Sequence, residues 1–102
     1  MLVDRTKPIA PTGVTFTNPV GASGTITATI DLSHASRCYI QFGGSGVAKQ
    51  AMTRSGSTCT YTVTAGNPPD LTYDTFVLAD DRTNSTSSTI NYVTIDAVTN
   101  GG

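Results

Sequence analysis

Residues 71–80 have the sequence LTYDTFVLAD, and a strand in the interior of a sheet is the structure that this pattern fits. Side chains of an extended strand point alternately to its two faces. One face then carries Tyr73, Thr75, Val77 and Ala79, and the other carries Asp74, Phe76, Leu78 and Asp80. Because apolar residues occur on both faces, we expect this segment to have a neighbouring strand on each side.

Other alternating segments supply the neighbours. The clearest is 25–32, which predicts a strand with Ile26, Ala28, Ile30 and Leu32 facing inward and threonines facing water. Further strands are predicted at residues 14–17, 37–42, 47–54 (an edge strand), 58–64 and 89–95, with a polar turn at 81–86. Threonine, at 19 of 102 residues, favours strands, and good helix formers are scarce. The sequence therefore predicts an all-β sandwich of about seven antiparallel strands in two sheets.

The organisation along the chain is that of one domain. Residues 1–13 contain Pro8, Pro11 and Gly13 and predict an N-terminal arm. Residues 14–96 hold the predicted strands, and residues 97–102 predict a C-terminal tail or linker. A complete small protein and a domain excised from a longer one are both compatible with this pattern.

Charge and hydropathy argue against two classes of partner. The formal net charge is −1 and the basic residues are scattered, so we expect no nucleic-acid partner. No apolar run approaches the roughly 20 residues that a membrane-spanning helix needs, so we expect no membrane insertion. The first residues also lack the apolar core of a signal peptide.

Two segments resemble parts of immunoglobulin-like, fibronectin type III-like domains of bacteria and phages. Leu71, Tyr73, Thr75, Val77 and Ala79 are similar to the pattern of the sixth strand in that family, and residues 79–85 resemble the hairpin that follows it. The proline-rich opening is similar as well. The resemblance implies an immunoglobulin-like β-sandwich, in which Tyr73 is the structural corner tyrosine whose hydroxyl bonds to nearby backbone.

The resemblance also bears on the two cysteines. Cys38 and Cys59 are each on the inward face of a predicted strand, and the immunoglobulin-like order places those strands in facing sheets. A disulfide between them is therefore a candidate, and it would indicate an oxidising compartment. Two buried thiols that pack as small apolar groups are the alternative.

A candidate binding face lies on the side of the sheet that faces away from Cys38. Tyr39 and Gln41 point to that side, and Lys49 and Tyr92 are predicted to join them. Exposed aromatic and amide groups suit the binding of a protein or a sugar. Ordinary cross-strand pairing is the alternative explanation.

Several residues suggest chemistry that their surroundings do not support. His34 lies near Asp31, Ser33 and Ser36, but so local a cluster lacks the arrangement of a catalytic triad, and a surface-loop histidine is expected. One histidine and two core cysteines are also too few ligands for a zinc site. The glycine-rich run 43–49 is a turn, because Lys49 does not precede Ser or Thr at the start of a helix.

Acidic residues and a sequon complete the candidates. The aspartates considered for calcium are Asp70, Asp74, Asp80, Asp81 and Asp96, and their spacing is not that of a calcium loop. Residues 84–86 match a glycosylation sequon, which matters only in a eukaryotic secretory pathway. We therefore expect no catalytic, metal or cofactor site.

The function expected from these patterns is structural or adhesive. The chain is predicted to be a non-enzymatic module on a phage virion, as a decoration or tail accessory, or on a bacterial surface protein. Its partner would be a capsid, tail or neighbouring-domain surface, or a cell-surface glycan, outside the cell. The alternative is a carbohydrate-binding module of a secreted polysaccharide-acting enzyme, which predicts exposed aromatics in a chain that has no Trp.

Overall fold

The computed structural model describes residues 8–97 except 34, 45, 67 and 82. Within these residues the chain is all-β, and no helix is long and apolar enough to cross a membrane. The strands are β1 Thr12–Phe16, β2 Thr25–Thr29, β3 Arg37–Gly43, β4 Gln50–Ala51, β5 Thr53–Ser55, β6 Thr58–Thr62, β7 Leu71–Asp80, β8 Ser85–Ser87 and β9 Asn91–Ile95.

The strands form two antiparallel sheets. One has the order β1-β2-β6-β5, and the other has the order β4-β3-β7, with β8 and β9 both pairing with the far side of β7. β3 runs beside β7 from the Arg37 and Asp80 pair to the Gly43 and Asp74 pair. The prediction that residues 71–80 form an interior strand is confirmed, with the same bounds.

One predicted strand is divided in two and one short strand was not predicted, so the expected count of about seven is not confirmed. The predicted edge strand 47–54 separates at Met52 into β4 and β5, which belong to different sheets. Met52 is buried, and its N–H donates to the Cys38 carbonyl at 3.0 Å. The chain therefore crosses from one sheet to the other at a residue that is anchored in the core.

The strand that was not predicted is β8, and the last predicted strand, 89–95, begins later than expected, as β9 Asn91–Ile95. β8 lies partly within the predicted turn 81–86, and backbone pairing with β7 continues to Ser88, whose N–H donates to the Val77 carbonyl at 2.7 Å. The chain then leaves β7 before β9 begins. The hydroxyl of Ser88 accepts a hydrogen bond from the Val77 N–H at 3.0 Å and donates one to the Thr89 carbonyl at 2.8 Å. A side chain thus takes the place of a backbone acceptor, which explains the interruption between β8 and β9.

The segment after β1 joins the two sheets. Val20 forms an isolated parallel bridge with Ile95 of β9. The Val20 N–H donates to the Thr94 carbonyl at 2.8 Å, and the Asp96 N–H donates to the Val20 carbonyl at 2.9 Å. Val20 is itself buried, so this link closes one edge of the core.

The core lies between the sheets. The Phe42 ring meets the rings of Tyr61 and Tyr73 edge to face, with centroids 5.6 and 5.7 Å apart. Burial raises the pKa of both tyrosines above the ordinary value, and the charge of Asp70 adds to the effect at Tyr73. Leu32 was predicted to face inward but is 46% exposed, because β2 ends at Thr29 and the alternation no longer applies.

A disulfide joins the sheets within the core. Cys38 of β3 and Cys59 of β6 are bonded, with their Cα atoms 6.5 Å apart. Both residues are almost completely buried. Of the two alternatives that the sequence left open for these cysteines, the structure has the bridge.

Candidate functional site

The outward side of the β4-β3-β7-β9 sheet holds the residues of the predicted binding face. Tyr39 and Gln41 point outward because the residues that alternate with them on β3, Cys38, Ile40 and Phe42, face the core. Their partners on β7 are Leu78 and Phe76, which are half-buried on the same surface. We call this surface the tyrosine face, comprising Arg37, Tyr39, Gln41, Lys49, Asp74, Phe76, Leu78, Asp80 and Tyr92.

Two cations approach the ring of Tyr39. The Lys49 Nζ lies 4.6 Å from the ring centroid, and the Arg37 Cζ lies 5.4 Å from it. Both distances are within the range of cation–π attraction. The Tyr39 ring is therefore engaged by cations rather than open on every side for stacking.

Arg37 is held in place by an acidic neighbour. Its Nε donates to Asp80 Oδ1 at 2.7 Å, across the first register pair of β3 and β7. The hydrogen bond to Asp80, together with that residue's charge, raises the pKa of the guanidinium despite the opposing effect of desolvation. The pair keeps a positive charge fixed beside Tyr39 over the whole physiological pH range.

The predicted residues are not all neighbours. Gln41 follows two positions after Tyr39, and its Nε2 donates to the Val47 carbonyl at 3.1 Å, which ties β3 to the segment before β4. Tyr92 pairs with Asp74 across β7 and β9, so it lies on the same face but two strands from β3. It is 70% exposed. The structure thus groups Tyr39, Gln41 and Lys49 and sets Tyr92 apart.

Sequence reasoning did not include Arg37 and Phe76 in this face. Arg37 precedes Tyr39 by two positions, so the alternation that exposes Tyr39 also exposes Arg37. Phe76 was placed on the same face of its strand as Asp74 and Leu78, but the sequence did not say which face is outward, and its position opposite Gln41 depends on the pairing of β3 with β7. The register of distant strands is not visible in the pattern of either strand alone.

The other sheet has an outer face of a different kind. Thr15, Thr27, Thr60 and Thr53 are paired in register across its four strands. A second row pairs Thr12, Thr29, Thr58 and Ser55, and a third pair joins Thr25 to Thr62. We call these ten residues the threonine grid.

A groove of about 290 Å³ lies at the β1 edge of the threonine grid. It is lined by Thr15, Phe16, Thr17, Thr25 and Thr27.

The candidates for other chemistry occupy local turns or lie elsewhere. Asp31 Oδ1 accepts hydrogen bonds from the N–H and hydroxyl of Ser33, while His34 lies outside the described residues. Asp81 Oδ1 accepts from the N–H groups of Thr83 and Asn84 in the turn before β8. In the part of the chain that the structure describes, no group of three His, Cys, Asp or Glu residues is placed to hold a metal ion.

The glycine-rich run forms the connection between β3 and β4. Gly44 and Gly46 have φ values of 85° and 75°, in the region that favours glycine. The backbone there makes a turn, and Lys49 projects from its end onto Tyr39.

Comparison with protein-family models, curated proteins and solved structures finds no match to this chain.

Proposed function

We propose that this chain is a non-enzymatic immunoglobulin-like module that attaches to another surface through its tyrosine face. It would be displayed on a bacterial surface protein or on a phage virion. The observation that carries the proposal is the tyrosine face itself, where Tyr39 lies between cations and Tyr92 stands 70% exposed. Tyrosine and arginine are the residue types enriched at the energetic centres of protein interfaces.

The strand order supports the immunoglobulin-like assignment. The order β1-β2-β6-β5 corresponds to strands A, B, E and D of that fold, and β3, β7 and the β8 and β9 pair correspond to C, F and G. β4 then corresponds to the additional strand beside C. One difference is that the disulfide joins the positions of strands C and E, whereas in antibody domains it joins B and F.

Tyr73 also supports the assignment. It lies near the start of β7, is 2% exposed, and its hydroxyl donates to the carbonyl of Pro69, four residues earlier. A tyrosine at the start of strand F with a hydroxyl bonded to upstream backbone is the corner that the family resemblance implies.

The path of the described chain suits a displayed unit. Thr12 pairs with Thr29 at one end of the sandwich, and β1 runs from there toward the end where Ile95 pairs with Leu71. The described part of the chain therefore runs from one end of the sandwich to the other, an arrangement that suits attachment through a sheet face. The buried disulfide supports a place outside the cell, where such bonds persist.

A carbohydrate-binding module is the second candidate, and the exposure of Tyr92 favours it. The ring of Tyr92 has the exposure that stacking on a sugar requires. Tyr39 is less suited to that role, because Lys49 and Arg37 already approach its ring. The two candidates therefore differ in which tyrosine matters.

Co-sedimentation tests the proposal and separates the candidates. The purified protein is mixed with intact bacterial cells, isolated cell walls, cellulose and chitin, and the bound fraction is measured. We expect binding to cells or cell walls that weakens by about tenfold in Tyr39→Ala and again in Tyr92→Ala, because interface tyrosines commonly contribute over 1 kcal/mol each. Thr83→Ala, an exposed turn residue outside the face, should bind as the unmodified protein does.

Three outcomes would contradict attachment through the tyrosine face. These are no binding to any cell or wall preparation, binding that both tyrosine substitutions leave unchanged, and an equal loss in the Thr83→Ala control. Retention only on cellulose or chitin, lost in Tyr92→Ala but kept in Tyr39→Ala, would establish the carbohydrate alternative instead. Thermal unfolding of each variant checks that the fold is intact.

A further inference from the structure

The threonine grid differs from the other outer face in a way that strand preference alone does not explain. Threonine favours strands in general, so it should occur on the outward positions of both sheets. The outer side of the other sheet has one such pair, Thr72 with Thr94 at the β7 and β9 end, and its remaining outward positions on β3 and β7 carry charged, aromatic, amide and aliphatic side chains. Nine of the ten grid positions are threonine, and the tenth is serine. This uniformity indicates that the ten side chains of the threonine grid act together as one surface.

The grid presents its groups at regular intervals on β2, β6 and β5, whereas a register shift between Thr12 and Thr15 interrupts the spacing on β1. Neighbouring strands lie about 4.8 Å apart, and outward residues of one strand recur about every 6.7 Å. Each threonine contributes one hydroxyl and one methyl group. Because threonine is branched at Cβ, its side chain has few rotamers, so these groups are held in place before any ligand arrives. The hydroxyls of Thr15 and Thr27 are hydrogen-bonded to each other across β1 and β2.

The face is also uncharged. No grid position carries an ionisable group. Arg54 lies between Thr53 and Ser55 on β5, so its side chain leaves the strand on the opposite side, and its Nη1 donates to the Gly56 carbonyl at 2.8 Å. A charge would impose its own orientation on nearby water, whereas hydroxyls both donate and accept hydrogen bonds as water does.

We propose that the threonine grid is an ice-binding surface. Ice is an uncharged, repeating lattice of hydrogen-bond donors and acceptors, so it matches the grid in charge, in hydrogen-bonding capacity and in regularity. A crystalline polysaccharide is also repetitive and uncharged. Stacking on sugar rings calls for aromatic side chains, however, and none is among the grid residues.

The β2 and β6 pair has the longest unbroken register in the grid. Neighbouring strands of a sheet are rotated by about 20–25°, so a flat lattice meets two adjacent strands better than four. This pair contributes three in-register threonine pairs, Thr25 with Thr62, Thr27 with Thr60, and Thr29 with Thr58. Thr27 and Thr60 lie at its centre, and substitutions there should have the strongest effect.

Inhibition of ice recrystallisation tests the proposal. Polycrystalline ice in sucrose solution is annealed with the purified protein, and the growth of grains is followed by microscopy. We expect the unmodified protein to slow grain growth and to shape single ice crystals. The double substitution Thr27→Lys with Thr60→Lys places two charges at the centre of the grid and should reduce the effect to that of buffer.

A matched control and a second variant make the test decisive. Ser87→Lys adds a charge to an exposed position on the outer side of the other sheet and should keep full activity. If the central variant does not fold, Thr29→Lys with Thr58→Lys replaces an exposed pair at the end of the same strands and should also abolish the effect. Absence of activity in the unmodified protein, or full activity in a folded grid variant, would overturn the proposal.

Discussion

Replacing Cys38 and Cys59 together with alanine should lower the free energy of unfolding by about 3 kcal/mol. The bridge spans a sequence separation of 21 residues and joins β3 to β6, which belong to facing sheets. Without it, the unfolded chain gains the freedom that the closed loop had removed. The change is measured as a lower midpoint of urea-induced unfolding, with a larger denaturant dependence because the unfolded state expands.

The reduced form of the unmodified protein is the control for this substitution. Its thiols fill nearly the same space as the bridge. The difference in the free energy of unfolding between the reduced protein and the alanine variant therefore measures the packing of the sulfur atoms without the cross-link. Both cysteines are buried, so reduction requires unfolding in the presence of a reductant before refolding. A double variant as stable as the oxidised protein would contradict the role assigned to the bridge.

Replacing Phe42 with alanine should cost about 3–5 kcal/mol, the range found for large aromatic residues in cores. Phe42 is 1% exposed, and its ring lies between those of Tyr61 and Tyr73, which come from different sheets. The substitution leaves a cavity at the centre of the sandwich and removes both edge-to-face contacts. Urea-induced unfolding measures the loss.

Phe76 provides the matched control for Phe42. It is also a strand phenylalanine, on the neighbouring β7, but it points outward and is only half-buried. Phe76→Ala should therefore cost much less than Phe42→Ala. Equal losses in the two variants would mean that the inward and outward faces of this sheet are assigned wrongly.

The central parts of the strands were predictable from the sequence, because apolar and polar residues alternate there according to which face of the strand is buried. β7 has the bounds that its pattern predicted, and the cysteines face inward on β3 and β6 as expected. The periodicity of side chains determines which face of a strand is buried, wherever one face meets a core. That information is local, so one sequence is enough to recover it.

The strand edges were less predictable, because their positions depend on distant partners. The division at Met52 places β4 and β5 in different sheets, and the interruption at Ser88 depends on hydrogen bonds to Val77 of another strand. Leu32 continues the apolar alternation of β2 but lies beyond the end of that strand. None of these outcomes has a local sequence signal.

The surfaces show the same division between local and distant information. The alternating threonines of 25–29 and 58–62 are evident in the sequence, but only the register of β2 with β6 aligns them as pairs. Likewise, the outward positions of Tyr39 and Gln41 follow from β3 alone, whereas the approach of Lys49 to Tyr39 depends on the turn between β3 and β4. Surface sites therefore require the strand pairing as well as the strands.

The pairing of strands is what the immunoglobulin-like proposal depends on, and solution NMR tests it most directly. Cross-strand nuclear Overhauser effects are measured between residues that are opposite each other. We predict them between Thr27 and Thr60, which join β2 to β6, and between Tyr39 and Leu78, which join β3 to β7. A continuous series of such effects joining β2 to β3, as in a simple meander, would contradict the two-sheet arrangement and the function proposed from it.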